Sequence, residues 1–317
     1  MTVEVLTLLV LDTLFVFFGT LAFVIALRIS KSYNINTTSP QQYKLEKESY
    51  LGATVVKYIF FIKIALFLFF IFTLEKLALI LPGAMCATGV VNASEYGISL
   101  FILKVINLYL FAYWLFLHKE DMKNERTPYM RLKFQIFIPL YFLLIGEIFL
   151  ELLFFFSIDF EAVVDCCGVI FSSSDGTYLA ALLGTAFWLQ ALALYGALFL
   201  MFVSFMARNA RVFALLNLLF VFLALVALIG AFSPYIYELP THRCPFCLLA
   251  HDYNYIGYLL YALLFFGTFS GGVLGFFRLT KREERAYFVL SLVCNSLYSF
   301  ILGAYVLLYY LKNSVLL

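Results

Sequence analysis

Long apolar stretches alternate with short polar segments along the whole chain. Each stretch spans about 20 residues or more, the length that a helix needs to cross roughly 30 Å of hydrocarbon. Helices are favoured over strands, because lipid offers no partner to an unpaired backbone group. The pattern therefore predicts an all-α polytopic membrane protein with about eight transmembrane helices. The eight stretches lie near residues 5–27, 54–75, 97–117, 134–157, 178–206, 212–232, 248–277 and 287–311.

The composition supports a single membrane domain over residues 1–317. Hydrophobic residues make up 64% of the chain and charged residues only 13%, whereas a soluble domain is about half apolar. The first stretch is longer than the apolar core of a signal peptide, and Glu4 stands where a basic region would be expected, so we predict a retained span. The polar segments His118–Lys133 and Arg278–Arg285 contain no nucleotide motif and are expected to be solvated anchors, and we expect no nucleic-acid partner.

The distribution of basic residues predicts the orientation. Most of the 21 Lys and Arg residues follow the first, third, fifth and seventh stretches, whereas Lys76, Arg243 and Lys312 lie on the other side. By the positive-inside rule, the amino terminus and the cysteine-containing loops lie on the exterior side of the membrane, and the basic loops are cytoplasmic. Since an oxidising exterior is where disulfides persist, a bacterial inner membrane with these loops in the periplasm is the expected location.

The two halves of the chain align with each other over several short motifs. We interpret them as a parallel 4+4 internal repeat, with halves 1–157 and 178–317 joined by an exterior cysteine loop at 158–177. The alternative is chance agreement between short motifs in an apolar sequence. The alignment superposes Leu81, Pro82 and Cys86 on Leu239, Pro240 and Cys244, and Lys123, Glu125 and Tyr129 on Lys281, Glu283 and Tyr287.

Five of the six cysteines lie in the exterior loops. They form three groups, which are Cys86, the adjacent pair Cys166 and Cys167, and the pair Cys244 and Cys247. Adjacent cysteines seldom bond to each other, so we favour a disulfide between one of Cys166 and Cys167 and Cys86. The sixth, Cys294, lies inside the eighth stretch and is expected to be a small core residue.

The segment Cys244-Pro245-Phe246-Cys247 carries the strongest chemical signal. We place it at the start of the seventh span, where backbone N–H groups and the positive end of the helix dipole would favour a thiolate. Arg243 and His242 are adjacent and would add to this effect. His251 follows Cys247 by one helical turn, which allows it to act as a base or a ligand or simply as a polar cap.

This motif at the outer end of a membrane helix, with further cysteines in another exterior loop, resembles the quinone-linked enzymes of the DsbB and vitamin K epoxide reductase type. The resemblance implies that Cys244 and Cys247 pass electrons to a membrane quinone. It also implies that Cys166 and Cys167 stand in the place of a second pair, which exchanges disulfides with a periplasmic thioredoxin-like protein. The expected activity is that of a membrane thiol–disulfide oxidoreductase.

Other functions remain open at this point. The exterior cysteines together with His242 and His251 can form a soft site for copper, zinc or mercury, as in a metal-handling protein or a small-solute transporter. No complete metal-ligand spacing is present, so no metal is assigned. The chain can also be a membrane anchor of a larger complex, and the sequence indicates no oligomeric state.

Four of the charged residues inside the predicted spans, Lys63, Lys104, Glu147 and Glu151, need an explanation, because a charge near the bilayer centre costs about 2.5 to 3.5 kcal/mol on insertion scales. Counted from the outer surface, Lys104 and Glu151 lie at a similar depth, as do Lys63 and Glu147. We therefore expect ion pairs joining spans 2, 3 and 4. They act either as a structural clamp or as a path for protons or a transported ion.

Overall fold

A computed structural model of the protein describes residues 2–33, 39–123, 127–164, 182–277 and 279–317. Within these ranges there is no strand, and eight helices are long and apolar enough to cross a membrane. The prediction of an all-α polytopic membrane protein is confirmed. The long helices are α1 (Val3–Ser32), α2 (Pro40–Ala78), α4 (Gly97–Met122), α5 (Met130–Ser157), α6 (Phe187–Met206), α7 (Ala210–Ala227), α9 (Ile256–Phe276) and α10 (Lys281–Asn313).

Short helical elements lie between the long helices. Helix α3 (Ala87–Asn92) lies between α2 and α4. Helix α7 continues through one π-helical turn, Leu228–Phe232, into α8 (Ser233–Tyr237), so that the sixth span covers Ala210–Tyr237. The outward faces of the long helices carry exposed apolar side chains, as expected for contact with lipid.

Polar residues extend two helices beyond their apolar stretches. Helix α2 begins at Pro40, where the Ser39 hydroxyl accepts a hydrogen bond from the backbone N–H of Gln42 at 3.2 Å. Helix α10 begins with a reciprocal capping box between Thr280 and Glu283. These caps satisfy backbone N–H groups that would otherwise lack partners. The two helices therefore start well before the apolar residues that predicted them.

The chain divides into two compact units, Met1–Val164 and Asp165–Leu317. In unit 1, α1 packs against α2 and α5, and α4 packs against the same two helices, which closes a ring of four. Aromatic side chains fill its centre, with the Phe60 and Phe111 rings stacked 4.2 Å apart between centroids. Trp114 is also buried, and its ring packs nearly perpendicular to that of Phe60.

In unit 2, α6, α7, α9 and α10 pack in the same cyclic order. Helix α9 meets its neighbours through glycines, since a Cβ at Gly267 or Gly271 would overlap the side chain of Asn295 or Asn217. The missing Cβ atoms let three helices approach closely around these two amides. The internal 4+4 repeat stays a prediction.

One expectation about the polar segment between α4 and α5 is wrong. We expected the charged residues of His118–Lys133 to be solvated anchors, yet Lys133 and Asp121 are fully buried and lie 2.7 Å apart. The second oxygen of Asp121 accepts a hydrogen bond from the Tyr129 backbone N–H at 2.7 Å. The physical reason is that α4 and α5 extend past their apolar stretches and bury the pair between them.

Candidate functional site

The cysteine pair of unit 2 lies in the loop between α8 and α9. Cys244 is fully buried and Cys247 is half-buried. Their Sγ atoms lie within 4.8 Å of each other. A disulfide requires about 2.05 Å between the sulfurs and Cβ atoms about 3.8 Å apart. The two sulfurs are therefore near each other but not joined by a bond.

Two tyrosines hold the backbone of this loop. The Tyr237 hydroxyl, at the end of α8, donates a hydrogen bond to the carbonyl of Cys244. The Tyr261 hydroxyl, on α9, donates to the carbonyl of Pro245 at 2.6 Å. Cys247 then opens a 3₁₀ turn, in which the Ala250 N–H donates to its carbonyl at 3.0 Å. The loop is therefore tied to α8 through Cys244 and to α9 through Pro245.

The structure corrects the position of this pair relative to the seventh span. Helix α9 begins at Ile256 and not at residue 248, because Asn254 and Tyr255 both adopt left-handed backbone conformations, with φ near +54° and +55°. Two separate 3₁₀ turns, Cys247–Leu249 and His251–Tyr253, fill the interval. The pair therefore does not form the first turn of the long helix, and thiolate stabilisation by that helix dipole stays a prediction.

The predicted accessory residues surround the loop in different ways. Arg243 donates from Nη1 to the Leu183 carbonyl at 3.0 Å, which ties the loop to the segment before α6. The His242 ring packs edge-on against Tyr237, with 4.4 Å between ring centroids. The His251 side chain is 86% exposed and lies 4.0 Å from Asp252.

A metal site that uses these histidines has no support. Within the described part of the chain, neither His242 nor His251 joins Cys244 and Cys247 in a set of ligand atoms close enough to hold one ion. Tyr253 lies beside the pair, and burial raises the pKa of its phenol, with a further contribution from the neighbouring Cys247. The immediate surroundings of the sulfurs are thus aromatic.

The remaining cysteines are distributed as follows. Cys86 is half-buried at the start of α3 in unit 1, and Cys294 is buried in α10, as predicted for a core residue. Cys166 and Cys167 lie outside the described residues, so their predicted bond to Cys86 stays a prediction. No disulfide is seen among the four cysteines that the structure describes.

A second candidate site lies inside unit 1, where four long helices bring five charged side chains into one line of contacts. The Lys63 ammonium lies 2.8 Å from Asp12 and 3.0 Å from Glu147. The Lys104 ammonium lies 3.0 Å from Glu147 and 2.6 Å from Glu151. We call this line, Asp12–Lys63–Glu147–Lys104–Glu151, the charge chain. None of its side chains is more than 6% exposed.

The carboxylate in the middle of the charge chain has more hydrogen-bond partners than the carboxylates at its ends. Both Glu147 oxygens are engaged, Oε1 by the two lysines and Oε2 by Asn107 Nδ2 at 2.6 Å. By contrast, Asp12 Oδ2, Glu151 Oε1 and Asn107 Oδ1 are buried without a hydrogen-bond donor. All of these residues line one cavity of about 10 Å³. The cavity has room for about one water molecule.

Sequence reasoning missed one member of the charge chain, Asp12. It lies in α1, and it is the only charged residue of the first apolar stretch, 5–27. An ionisable residue in a membrane span is rare and needs a partner. That rule alone would have identified it.

Comparison with known proteins finds no family model, no curated protein and no solved structure that matches this chain.

Proposed function

We propose that the protein is a membrane thiol–disulfide oxidoreductase that works through Cys244 and Cys247. The observation that carries the proposal is the pairing of a buried sulfur with a half-buried one, within 4.8 Å, in a loop held by two tyrosines. A dithiol of this kind cycles with small movements. The half-buried member is accessible to a partner, and the buried one is protected from it.

The reaction balances as a two-electron exchange. In the oxidised form, a thiolate of the partner attacks the sulfur of Cys247, and Cys244 leaves as a thiolate. The partner's second thiol then attacks the mixed disulfide and releases Cys247. The partner ends as a disulfide, and Cys244 and Cys247 end as a dithiol that holds two electrons and two protons.

Reoxidation of the dithiol needs an acceptor, and a membrane quinone is the class that we propose. A bound quinone takes up two electrons and two protons and becomes a quinol. The chain offers aromatic surfaces for such a ring, since Tyr237 and Tyr253 pack edge-on with 4.6 Å between centroids beside the pair. Cys244, Cys247 and these tyrosines would hold the reacting groups together in an apolar setting.

We further propose the periplasmic face of a bacterial inner membrane as the site of the reaction, with a thioredoxin-like protein as the partner. The distribution of Lys and Arg supports this orientation. The predicted role of Cys166 and Cys167 as the pair that meets the partner belongs to the same proposal, as does a structural or relay role for Cys86.

Counting reactive thiols tests this function directly. In a variant that retains only Cys244 and Cys247, a mass tag is expected to label two thiols in the reduced protein. After a water-soluble quinone is added and removed, we expect no labelling, and a reductant should restore both tags. Adding Cys247→Ser to this variant supplies the control, because Cys244 is then the only cysteine of the chain.

Two outcomes would count against the proposal. If quinone leaves both thiols open to the tag in lipid nanodiscs, the pair does not pass electrons to a quinone. If purified protein instead holds stoichiometric copper or zinc that is lost in Cys244→Ser, the alternative of a metal-handling protein is favoured.

A further inference from the structure

The charge chain of unit 1 carries an odd number of charges. Asp12, Glu147 and Glu151 supply three carboxylates, whereas Lys63 and Lys104 supply only two ammonium groups. If every group is ionised, one negative charge is in surplus. A surplus charge buried among apolar helices is unfavourable, and such a group becomes neutral by taking up a proton or by binding a cation.

The hydrogen bonds show where this surplus lies. Glu147 accepts from both lysines and from Asn107, so its carboxylate is the best stabilised of the three. Asp12 and Glu151 end the charge chain, and each uses only one oxygen, toward Lys63 and Lys104 respectively. Their second oxygens, Oδ2 and Oε1, lack a donor. A carboxylic O–H at either end would neutralise the surplus.

A metal cation fits this place less well than a proton. Sodium or a similar ion needs several oxygen ligands around one point. Here the carboxylates already contact two ammonium groups at 2.6 to 3.0 Å, and these would repel a second cation. The cavity of about 10 Å³ has room for one water, not for a hydrated ion.

We propose that the charge chain binds one exchangeable proton, shared between Asp12 and Glu151, and that unit 1 is a proton-binding element within the membrane. Uptake of the proton changes the net charge of the charge chain from minus one to zero. Lys63 contacts Asp12 at one end and Lys104 contacts Glu151 at the other, and the cavity that both carboxylates line has room for one water. Among the described residues, the titratable groups that line this cavity are the five of the charge chain.

The placement of the site fits a proton that is reached from one side of the membrane. At 1.5 Å of rise per residue, Asp12 lies about 14 Å from the start of α1, and Glu151 about 9 Å from the end of α5. Both distances are measured from the same end of the four-helix ring of unit 1. The proton site needs no contribution from the cysteines, so its test is independent of the thiol chemistry.

Infrared difference spectroscopy on the full chain in lipid nanodiscs tests the proposal. Between mildly alkaline and mildly acidic buffer, we expect the carbonyl band of one buried carboxylic acid to appear, and to shift in heavy water. The band should be lost in both Asp12→Asn and Glu151→Gln, because either change leaves two carboxylates with two lysines. Glu161→Gln, which alters an exposed carboxylate of the same unit, should leave it intact.

A further variant increases the number of buried carboxylates instead of reducing it. Asn107→Asp adds a fourth carboxylate beside Glu147, and we expect the band area to double. Absence of any such band in the unsubstituted protein over the whole titration would overturn the proposal, even if the variants do not fold. Loss of the band on adding sodium at constant pH would also overturn it, because it would show a site for a metal cation.

Discussion

The ammonium group of Lys63 lies 2.8 Å from the carboxylate of Asp12, and this contact joins α2 to the one charged residue of the first apolar stretch. Lys63 also lies 3.0 Å from Glu147, so it bridges α1 and α5. Removal of Asp12 therefore leaves Lys63 paired with Glu147. Removal of Lys63 instead leaves three carboxylates with one ammonium group. The two residues are not equivalent in their effect on stability.

We expect Lys63→Met to destabilise the protein by about 3 to 5 kcal/mol, since it leaves three buried carboxylates with one ammonium group. Asp12→Asn should cost no more than about 1.5 kcal/mol, the scale of one hydrogen bond, because it also removes the surplus charge. Unfolding in mixed micelles, followed by tryptophan fluorescence, measures both. Equal losses of stability in the two variants would contradict the surplus of one negative charge in the charge chain.

The buried pair at the other end of unit 1 gives a second prediction. Lys133 and Asp121 are fully buried, so Asp121→Ala leaves an ammonium group without its partner and also removes the acceptor for the Tyr129 N–H. We expect a loss of about 3 to 5 kcal/mol. Lys123→Ala is the matched control, because its ion pair with Glu120 is at the surface and should contribute at most about 1 kcal/mol. Similar melting temperatures for the two variants would argue against a buried pair.

The long helices and the class of protein could be predicted from the sequence because apolar length alone determines them. Helix ends were less predictable, since Asn254 and Tyr255 both adopt left-handed conformations, which Asn tolerates but a bulky residue such as Tyr rarely adopts. Those two residues move the start of α9 to Ile256 and separate the cysteine pair from its helix. The cysteine motif therefore did not predict the backbone conformation of the residues that follow it.

The charge chain was predictable only in part, for a different reason. Depth along each span was enough to match Lys104 with Glu151, and Lys63 with Glu147. Depth does not show which helices are neighbours, however, and the contact of α1 with α2 and α5 brings Asp12 into the chain. Likewise, sequence order does not show that Lys133 turns inward, because a basic residue at a membrane boundary is more often solvated.

The difference in burial between the two cysteines predicts different reactivity. Cys247 is half-buried, and we expect it to react with a maleimide under native conditions. Cys244 is fully buried and needs a local opening first. An opening free energy of about 1.4 kcal/mol would slow it roughly tenfold. Mass spectrometry of the alkylated peptides gives both rates, and denaturant should make them similar. Faster labelling of Cys244 would contradict the burial.

The hydrogen bond from Tyr261 to Pro245 predicts that the cysteine loop depends on α9. Tyr261→Phe removes the donor to the half-buried Pro245 carbonyl, and a hydrogen bond typically contributes about 0.5 to 1.5 kcal/mol. We expect slower disulfide formation between Cys244 and Cys247 in a glutathione buffer, because the loop is held less firmly. Tyr258→Phe, on an exposed position of the same helix, should react at the original rate. Identical rates in all three proteins would show that this hydrogen bond does not position the pair.

The glycines of α9 predict a contrast between two alanine substitutions. At Gly271 a Cβ would overlap the Asn217 amide, which cannot easily move because its Oδ1 accepts from Ser291 and Asn295 at 3.1 Å. We expect Gly271→Ala to destabilise unit 2 by about 1 to 3 kcal/mol through overpacking. Gly196 on α6 has no atom within 4 Å of the same position, so Gly196→Ala should be neutral or stabilise by up to about 1 kcal/mol through helix propensity. Thermal melting of the two variants in detergent measures the difference, and a stabilised Gly271→Ala variant would show that the helices are not in close contact at this glycine.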